Sequence, residues 1–115
     1  MTPDCIFCKI IAGEIPGTIL HHDDQVTAFR DLHPLASTHI LVVPNKHIDS
    51  VNDLAGEDEP LAGHLFTVAR QLAEKEGITE NGYRLIVNTG AHGGQTVSHL
   101  HLHLLGGNRM KHPMG

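Results

Sequence analysis

Residues 99–104 read His-Leu-His-Leu-His-Leu, an unbroken alternation of imidazole and apolar side chains. Successive side chains of a β-strand point to opposite faces of the sheet, so this pattern predicts a strand, which we extend to residues 97–105. Its leucines are expected to enter the core. Its histidines are expected to face one common pocket, provided that the chain is extended from His99 to His103.

The segments around this strand predict an α+β fold with an antiparallel sheet. The strongest helix is predicted at residues 58–76, where Leu61, Leu65, Val68 and Leu72 recur at helical spacing. Connections of hairpin length, without a repeated β-α-β unit, favour antiparallel pairing. The other predicted elements are a helix at residues 5–12 and strands at residues 19–22, 25–30, 39–44 and 83–88.

Length and composition indicate one soluble domain without a surface for nucleic acid or membrane. The chain has 115 residues, 40% of them hydrophobic, and a formal net charge of −5 with neutral histidines. That size supports a single core, and the negative balance offers no broad basic face to nucleic acid or an anionic membrane. We find no apolar run near ~18 residues and no signal-peptide pattern, so we expect a cytoplasmic protein.

The chain contains 11 histidines, and the residues alone leave three interpretations of the alternating ones. They could face solvent, share one metal ion, or line the phosphate of a substrate. A shared metal needs a bend, because His99 and His103 are ~13 Å apart along an ideal strand and zinc–nitrogen bonds are ~2.1 Å long. Along a phosphate, the central His101 is best placed for in-line attack, since imidazole is a competent nucleophile at neutral pH.

A glycine-rich segment, residues 88–96, precedes the predicted strand and is expected to lie beside the histidines. Taken alone, it is an ordinary hairpin turn. Beside the histidines, Gly93 and Gly94 would let backbone N–H groups turn toward a phosphate. The side chains that would add hydrogen bonds are those of Asn88, Gln95 and Thr96. This segment is therefore a candidate phosphate-binding loop.

The histidine pattern, with Gly-Gly-Gln-Thr-Val-Ser ahead of it at residues 93–98, resembles the signature of the histidine triad nucleotide-binding proteins. The resemblance covers essentially the whole chain. Among the branches of the family, the Leu-Gly-Gly ending at residues 105–107 is similar to the purine nucleoside phosphoramidases. The resemblance implies an HIT-like domain over residues 1–107, with a five-stranded antiparallel sheet, one long and one short helix, and a C-terminal tail over residues 108–115.

The resemblance also implies roles for individual residues. His101 matches the family's nucleophile, which becomes nucleotidylated, and His39, His99 and His103 match histidines of the same site. Asp31 matches the carboxylate that holds the ribose hydroxyls. The positions implied to contact the phosphate are Asn88, Gln95 and Thr96, beside Gly94 of the candidate loop. The positions implied to form an apolar slot for the purine are Ile6, Phe7, Ile10, Phe29 and Leu32.

The family's properties imply a function and an assembly. We expect hydrolysis of purine nucleoside 5'-phosphoramidates, including aminoacyl-adenylate-like substrates, to a nucleoside monophosphate and an amine, with no cofactor needed for the chemistry. The alternatives are a non-catalytic nucleotide-binding or scaffold module and a dinucleoside polyphosphate hydrolase. Family members are homodimers whose two sheets join into one of ten strands, with the long helix at the interface. We therefore expect a homodimer.

Cys5 and Cys8 form a Cys-x-x-Cys pair near the predicted start of the first helix. By itself the pair is a redox couple, half of a zinc site, or two buried small residues. Some bacterial family members with this pair resemble zinc proteins that add a histidine after Val-Pro-x-Lys and the first triad histidine. Those positions are His47 and His99 here. The resemblance therefore implies a structural Zn²⁺ with a closed tetrahedral shell and no open position for substrate.

Overall fold

One antiparallel sheet of five strands organises the chain, as predicted. The structure, a computed structural model, describes residues 4–113. The strands are β1 (Ile19–His22), β2 (Val26–Arg30), β3 (Thr38–Pro44), β4 (Tyr83–Ile86) and β5 (Leu102–Gly106), in the order β1-β2-β3-β5-β4. The helices are α1 (Ile6–Ile11) and α2 (Glu59–Lys75), with 3₁₀ turns at Val51–Asp53 and Gly56–Asp58. Among the described residues, no helix is long and apolar enough to cross a lipid bilayer.

Helix α2 covers one face of the sheet and forms the larger core. Its predicted apolar stripe is confirmed, because Leu61, Leu65, Val68 and Leu72 are all buried. Burying one such side chain contributes about 2 kcal/mol, so this stripe holds the helix against the sheet. The strand residues in the same core are Val26, Ala28, Ile40, Val42, Leu102 and Leu104.

Helix α1 lies on the opposite face, over a smaller core. Its buried residues Phe7, Cys8 and Ile10 pack there with residues of β2 and β3. Phe7 meets Phe29 of β2 edge to face, with ring centroids 5.4 Å apart. The α1 face of the sheet therefore receives the side chains that point away from the α2 core.

The strand predicted at residues 97–105 is too long at its beginning, because β5 starts only at Leu102. Its neighbour β3 ends at Pro44, and a proline has no N–H to continue the ladder. Leu100 instead donates its N–H to the carbonyl of Ile48 over 2.7 Å. The expectation of a regular strand through the first half of the histidine pattern is therefore wrong.

The alternation of side chains nevertheless continues outside the regular strand. Leu100 is buried in the α2 core together with Leu102 and Leu104. The ring of His101 stands edge-on to Phe7 of α1 instead, with ring centroids 5.1 Å apart. Leucines and histidines thus lie on opposite sides of the sheet, as the pattern predicts, although the ladder begins late.

The Leu-Gly-Gly ending has a steric explanation. A Cβ on Gly106 would lie 2.5 Å from Cδ1 of Ile78, and Gly107 has a φ of +88°. Both positions therefore favour glycine, which has no side chain to clash and adopts positive φ readily. The domain boundary predicted after residue 107 stays a prediction, and residues 114–115 of the predicted tail lie outside the described part of the chain.

Candidate active site

A cavity of about 290 Å³ opens on the α1 face of the sheet. Its size is near the lower end of the range for small-molecule sites, which begins at ~300 Å³. His101 and His103 line it. Of the residues predicted to bind substrate, those in the wall are Ile6, Phe7, Ile10, Phe29, Asp31, Leu32 and Thr96. The structure thus brings the predicted apolar slot, the predicted ribose carboxylate and two triad histidines to one place.

A backbone carbonyl fixes the orientation of the His101 ring. Its Nδ1 lies 2.6 Å from the backbone carbonyl of His99, which can only accept a hydrogen bond. With the proton on Nδ1, the neutral imidazole carries its lone pair on Nε2. The residue is 5% exposed, and Phe7 packs against its ring. The backbone therefore selects the tautomer whose Nε2 is able to attack a substrate.

His39 and His103 form a polarised hydrogen-bond chain on the same face. They lie diagonally on adjacent strands, since His39 pairs with Leu105 and His103 pairs with Leu41. Nδ1 of His39 accepts the backbone N–H of Leu35 over 3.1 Å. Its Nε2 then carries the proton and donates it to Nδ1 of His103 over 2.9 Å. His103 is left with its own proton on Nε2.

Both rings of this chain are neutral at neutral pH. Burial, with the neighbouring His101 and His39 imidazoles, lowers the pKa of His103 to about 4. Burial also lowers the pKa of His39, partly opposed by the carboxylate of Asp31. That carboxylate lies 3.5 Å from Nε2 of His39. The pair therefore acts through hydrogen bonds of fixed direction rather than through positive charge.

The candidate phosphate-binding loop, residues 88–96, is folded onto itself. Asn88 donates its side-chain N–H to a carbonyl of the same loop over 2.7 Å. The Gln95 side chain accepts one backbone N–H and donates to two carbonyls. The Gly94 N–H is also donated within the loop. Of the four residues predicted to contact the phosphate, Thr96 lines the cavity. The hydrogen bonds described above join Asn88, Gly94 and Gln95 to other groups of the protein, so their phosphate contacts stay predictions.

A second cluster lies beside the cavity. The ligand atoms of Cys5, Cys8, His47 and His99 are all within 4.8 Å of one another. The Sγ atoms of Cys5 and Cys8 lie 3.3 and 3.6 Å from Nδ1 of His99, and Sγ of Cys8 lies 3.3 Å from Nδ1 of His47. The two cysteines are free thiols. The structure thus assembles the four residues predicted as metal ligands.

Both histidines of this cluster point an acceptor inward. Nε2 of His99 lies 2.8 Å from the carbonyl of Pro44, and Nε2 of His47 lies 2.7 Å from the carboxylate of Asp49. Both partners only accept, so each ring carries its proton on Nε2 and its lone pair on Nδ1. The two Nδ1 atoms are 3.1 Å apart. Lone pairs facing each other repel unless a cation or proton lies between them, so this cluster can hold a metal ion.

Sequence reasoning missed part of the cavity wall. The additional lining residues are Pro16, Gly17, Arg30, His33, Leu41 and Val97. Leu41 was not identifiable because β3 is apolar at each of residues 40–43, so no alternation shows which side chains face α1. The sequence does mark Gly17, because it is a turn glycine next to the first helix. A Cβ there would lie 3.2 Å from Ile10.

Known proteins resemble this chain in both fold and sequence. A family model with the description "Scavenger mRNA decapping enzyme C-term binding" matches residues 4–114. The crystal structure of an HIT family hydrolase from Legionella pneumophila Philadelphia 1 superposes with a TM-score of 0.94 at 48% identity, covering 97% of this chain and all of that one. This chain belongs to the histidine triad (HIT) family.

Two further members of the HIT family sharpen the comparison. Purine nucleoside phosphoramidase from Escherichia coli strain K12 is 57% identical over 107 residues, which are 93% of this chain and 90% of that protein. A histidine triad protein from Clostridium difficile has a TM-score of 0.95 at 45% identity, covering 99% of both chains. The predicted family and fold are therefore confirmed, and the chain is an enzyme, a hydrolase.

Proposed function

We propose that this HIT hydrolase cleaves purine nucleoside 5'-phosphoramidates to a nucleoside monophosphate and an amine. The observation that carries the proposal is the tautomer of His101, which lines a nucleoside-sized cavity with its lone pair on Nε2. The name of the relative from E. coli, purine nucleoside phosphoramidase, supports this substrate class, because that protein is 57% identical.

The reaction proceeds in two displacements at phosphorus. In the first, Nε2 of His101 forms a bond to phosphorus while the P–N bond to the amine breaks, and the amine takes up a proton from solvent. In the second, water attacks the nucleotidyl-histidine, frees His101 and the nucleoside monophosphate, and returns a proton. Dividing one difficult displacement into two easier ones is the advantage of a covalent intermediate. The His99 carbonyl stabilises the positive imidazole by accepting its Nδ1–H.

Neighbouring histidines support these steps without changing charge. His103 donates its Nε2–H to a phosphoryl oxygen, whose negative charge is spread in the transition state. His39 is a positioning residue, because it acts on the substrate only through His103. A neutral hydrogen-bond donor that is already oriented needs little reorganisation during the reaction.

The rest of the cavity is assigned to the nucleoside. Asp31 receives the ribose hydroxyls, and Thr96 contacts the phosphate together with the loop positions Asn88, Gly94 and Gln95. The purine occupies the apolar slot, where edge and face contacts with aromatic rings stabilise a flat base. The residues of this slot are Ile6, Phe7, Ile10, Phe29 and Leu32.

Intact-mass measurement after rapid quenching tests the proposal. We expect wild-type protein mixed with a fluorogenic adenosine phosphoramidate to accumulate a species heavier by one adenylyl group. His101→Ala is expected to show neither this adduct nor turnover. His92→Gln, at an exposed loop histidine, is the matched control and is expected to show both.

Three outcomes would overturn this assignment. Equal turnover by wild type and His101→Ala removes His101 from the role of nucleophile. A kcat/KM for a dinucleoside polyphosphate that exceeds the value for the phosphoramidate favours the polyphosphate hydrolase instead. Tight binding of the nucleotide without any turnover leaves a scaffold module.

We also propose that Cys5, Cys8, His47 and His99 hold one structural Zn²⁺. Bonds of ~2.3 Å to sulfur and ~2.1 Å to nitrogen place tetrahedral ligand atoms ~3.3–3.8 Å apart. The sulfur–nitrogen and nitrogen–nitrogen distances here are 3.1–3.6 Å. Four protein ligands leave no open position, so the ion supplies no chemistry. Its role is to tie α1 to the segment whose carbonyl orients the nucleophile.

A homodimer is proposed for the assembly. In the described chain β4 is an edge strand without a partner on its outer side, and it pairs with β5 in regular register. The other edge, β1, carries a register shift between Ile19 and His21, and such irregularities disfavour edge-to-edge pairing. Pairing β4 with the β4 of a second copy joins ten strands, and Phe66 of α2, which is 52% exposed, offers apolar surface for such an interface. Sedimentation at the mass of one chain would contradict the dimer.

We place the enzyme in the cytoplasm. Both cysteines are free and adjacent to histidines, an arrangement that persists in reducing compartments and is oxidised elsewhere. Recovery of the native protein in a periplasmic extract would contradict this localisation.

A further inference from the structure

We propose that His21, Asp23 and His64 form a second metal site, which binds a divalent ion of the late first-row transition series. The three ligand atoms lie within 4.8 Å of one another. None of these residues lines the catalytic cavity or belongs to the Cys5–His99 cluster. The site joins the β1–β2 turn to the middle of α2.

Both imidazoles converge on one oxygen. Nε2 of His21 lies 2.6 Å from Oδ2 of Asp23, and Nε2 of His64 lies 2.7 Å from the same atom. Two nitrogens and one oxygen bonded to an ion at ~2.1 Å and right angles would be ~3 Å apart. The two nitrogen–oxygen distances need to open by only a few tenths of an ångström. A cation that takes the place of the two N–H protons would therefore find three ligands in position.

The backbone fixes the carboxylate for this purpose. The other oxygen of Asp23, Oδ1, accepts the N–H groups of Gln25 and Val26 over 2.8 Å each. Outer hydrogen bonds of this kind orient the first shell of metal sites. Burial raises the pKa of Asp23, but hydrogen bonds from His21, His64 and these two N–H groups lower it well below its usual range. The carboxylate is therefore ionised at neutral pH.

Exposure and charge also suit an ion. The side chains of His21, Asp23 and His64 are 23%, 31% and 31% exposed, so an ion can enter from solvent and keep water on its open positions. A ring that binds the ion through Nε2 can carry its proton on Nδ1. One carboxylate balances half of the ion's charge.

The ligand set selects the metal. Two imidazoles and one carboxylate favour nickel, copper or zinc over magnesium and calcium, which prefer oxygen ligands.

The neighbouring His22 serves as an internal comparison. Its Nδ1 lies 2.9 Å from the hydroxyl of Thr27, whose own proton goes to Asn45, so His22 is held outside the cluster.

Calorimetric titration with Ni²⁺ tests the site in untagged, full-length protein that holds one zinc per chain, with free zinc removed. We expect one Ni²⁺ per chain, with the zinc content unchanged after the titration. His64→Gln keeps an N–H donor for Asp23 but loses the ligand nitrogen, so we expect its Ni²⁺ affinity to fall at least ~tenfold. His22→Gln, the adjacent imidazole, is expected to bind Ni²⁺ as wild type does.

Thermal unfolding separates a metal role from a structural one. Without Ni²⁺, His64→Gln is expected to melt close to wild type, and excess Ni²⁺ is expected to raise the melting temperature of wild type alone. His21→Gln provides a second variant with the same expectation. Absence of saturable Ni²⁺ binding would overturn the proposal, and so would equal affinity in His64→Gln or the same loss in His22→Gln.

Discussion

Two pairs of histidines on the same face of the sheet have similar spacing and opposite hydrogen-bond polarity. Nε2 of His39 and Nδ1 of His103 are 2.9 Å apart, and the Nδ1 atoms of His47 and His99 are 3.1 Å apart. In the first pair a proton lies between the rings. In the second pair two lone pairs face each other across the gap.

The outer partners of the rings cause this difference. A donor, the N–H of Leu35, meets His39, so a proton is passed inward along the chain of rings. Two acceptors, the carbonyl of Pro44 and the carboxylate of Asp49, meet His99 and His47, so each ring's proton is held outside. When an acceptor lies outside each ring, two nitrogen lone pairs face the centre of the pair and can bind a cation there. The hydrogen-bond partner outside each ring thus decides whether neighbouring histidines relay a hydrogen bond or can bind a metal.

Disrupting the proposed zinc site at the second pair, His47 and His99, should have the largest effect on stability. We expect untagged wild type to contain one zinc per chain and Cys8→Ser to contain little. Ligand binding stabilises the folded state by ~4 kcal/mol at a thousandfold excess over its Kd. We therefore expect Cys8→Ser to lose about 4 kcal/mol of free energy of unfolding in zinc-containing buffer, measured by urea denaturation.

Chelation supplies the control for this prediction. Wild type stripped of zinc should unfold at the same urea concentration as Cys8→Ser, and readdition of zinc should rescue wild type only. His92→Gln, which changes an exposed histidine, should retain the metal. Substoichiometric zinc after gentle purification, or wild-type stability in the presence of chelator, would show that the inward lone pairs are satisfied in another way.

Breaking the first pair should have a smaller effect, because no ion is lost. His39→Leu leaves the N–H of Leu35 and Nδ1 of His103 without partners, and one such buried group costs ~1–3 kcal/mol. We expect a loss of about 2 kcal/mol in the free energy of unfolding. We also expect kcat to fall more than KM rises, because the direction of the His103 donor is lost in the transition state.

His39→Gln is the matched variant for this prediction. A glutamine carries one acceptor and two donors, so it can restore part of both hydrogen bonds and part of kcat. Equal kcat in His39→Leu and His39→Gln would mean that polarity at this position is irrelevant, and the comparison between the two pairs would lose its basis.

Periodicity was sufficient to predict most of the fold. The stripe of α2 and the hairpin of β1 and β2 follow from residues close together in sequence, and both are present. The start of β5 was not predictable in the same way. It depends on where β3 stops at Pro44, which is more than 50 positions earlier than Leu100, the residue that it would face in the β3–β5 register. Local alternation predicts which side chains share a face, but not which backbone groups find a partner.

The candidate site shows the same division. The histidine pattern and the Cys-x-x-Cys pair marked residues that do meet in space. The polarity of their hydrogen bonds was not accessible, since it depends on which ring nitrogen meets Leu35, Pro44 or Asp49 in the folded chain. The cluster of His21, Asp23 and His64 was also missed, because one of its members lies 41 residues from the carboxylate that it contacts.

The smallest effect on the free energy of unfolding is expected from lowering the pH, which acts on the first pair, His39 and His103. The pKa of His103 is about 4 in the folded chain, and that of an exposed histidine is ~6.5. Above about pH 6.5 neither state binds the proton, so stability does not depend on this group. Between these two values only the unfolded chain binds it, so the free energy of unfolding falls as the pH falls. We expect a loss of about 1 kcal/mol from this residue between about pH 7 and about pH 5.5.

Comparing wild type with His103→Gln by urea denaturation at each pH isolates this contribution. Other acid-sensitive groups are present in both proteins, and their contributions cancel in the difference between the two curves. The curve of His103→Gln should therefore be flatter by about 1 kcal/mol over the same interval. Parallel curves would mean that folding leaves the pKa of His103 unchanged. The ring would then be partly charged near neutral pH, and Nδ1 could no longer accept the proton of His39, so the direction of the chain that distinguishes this pair from the metal cluster would be lost.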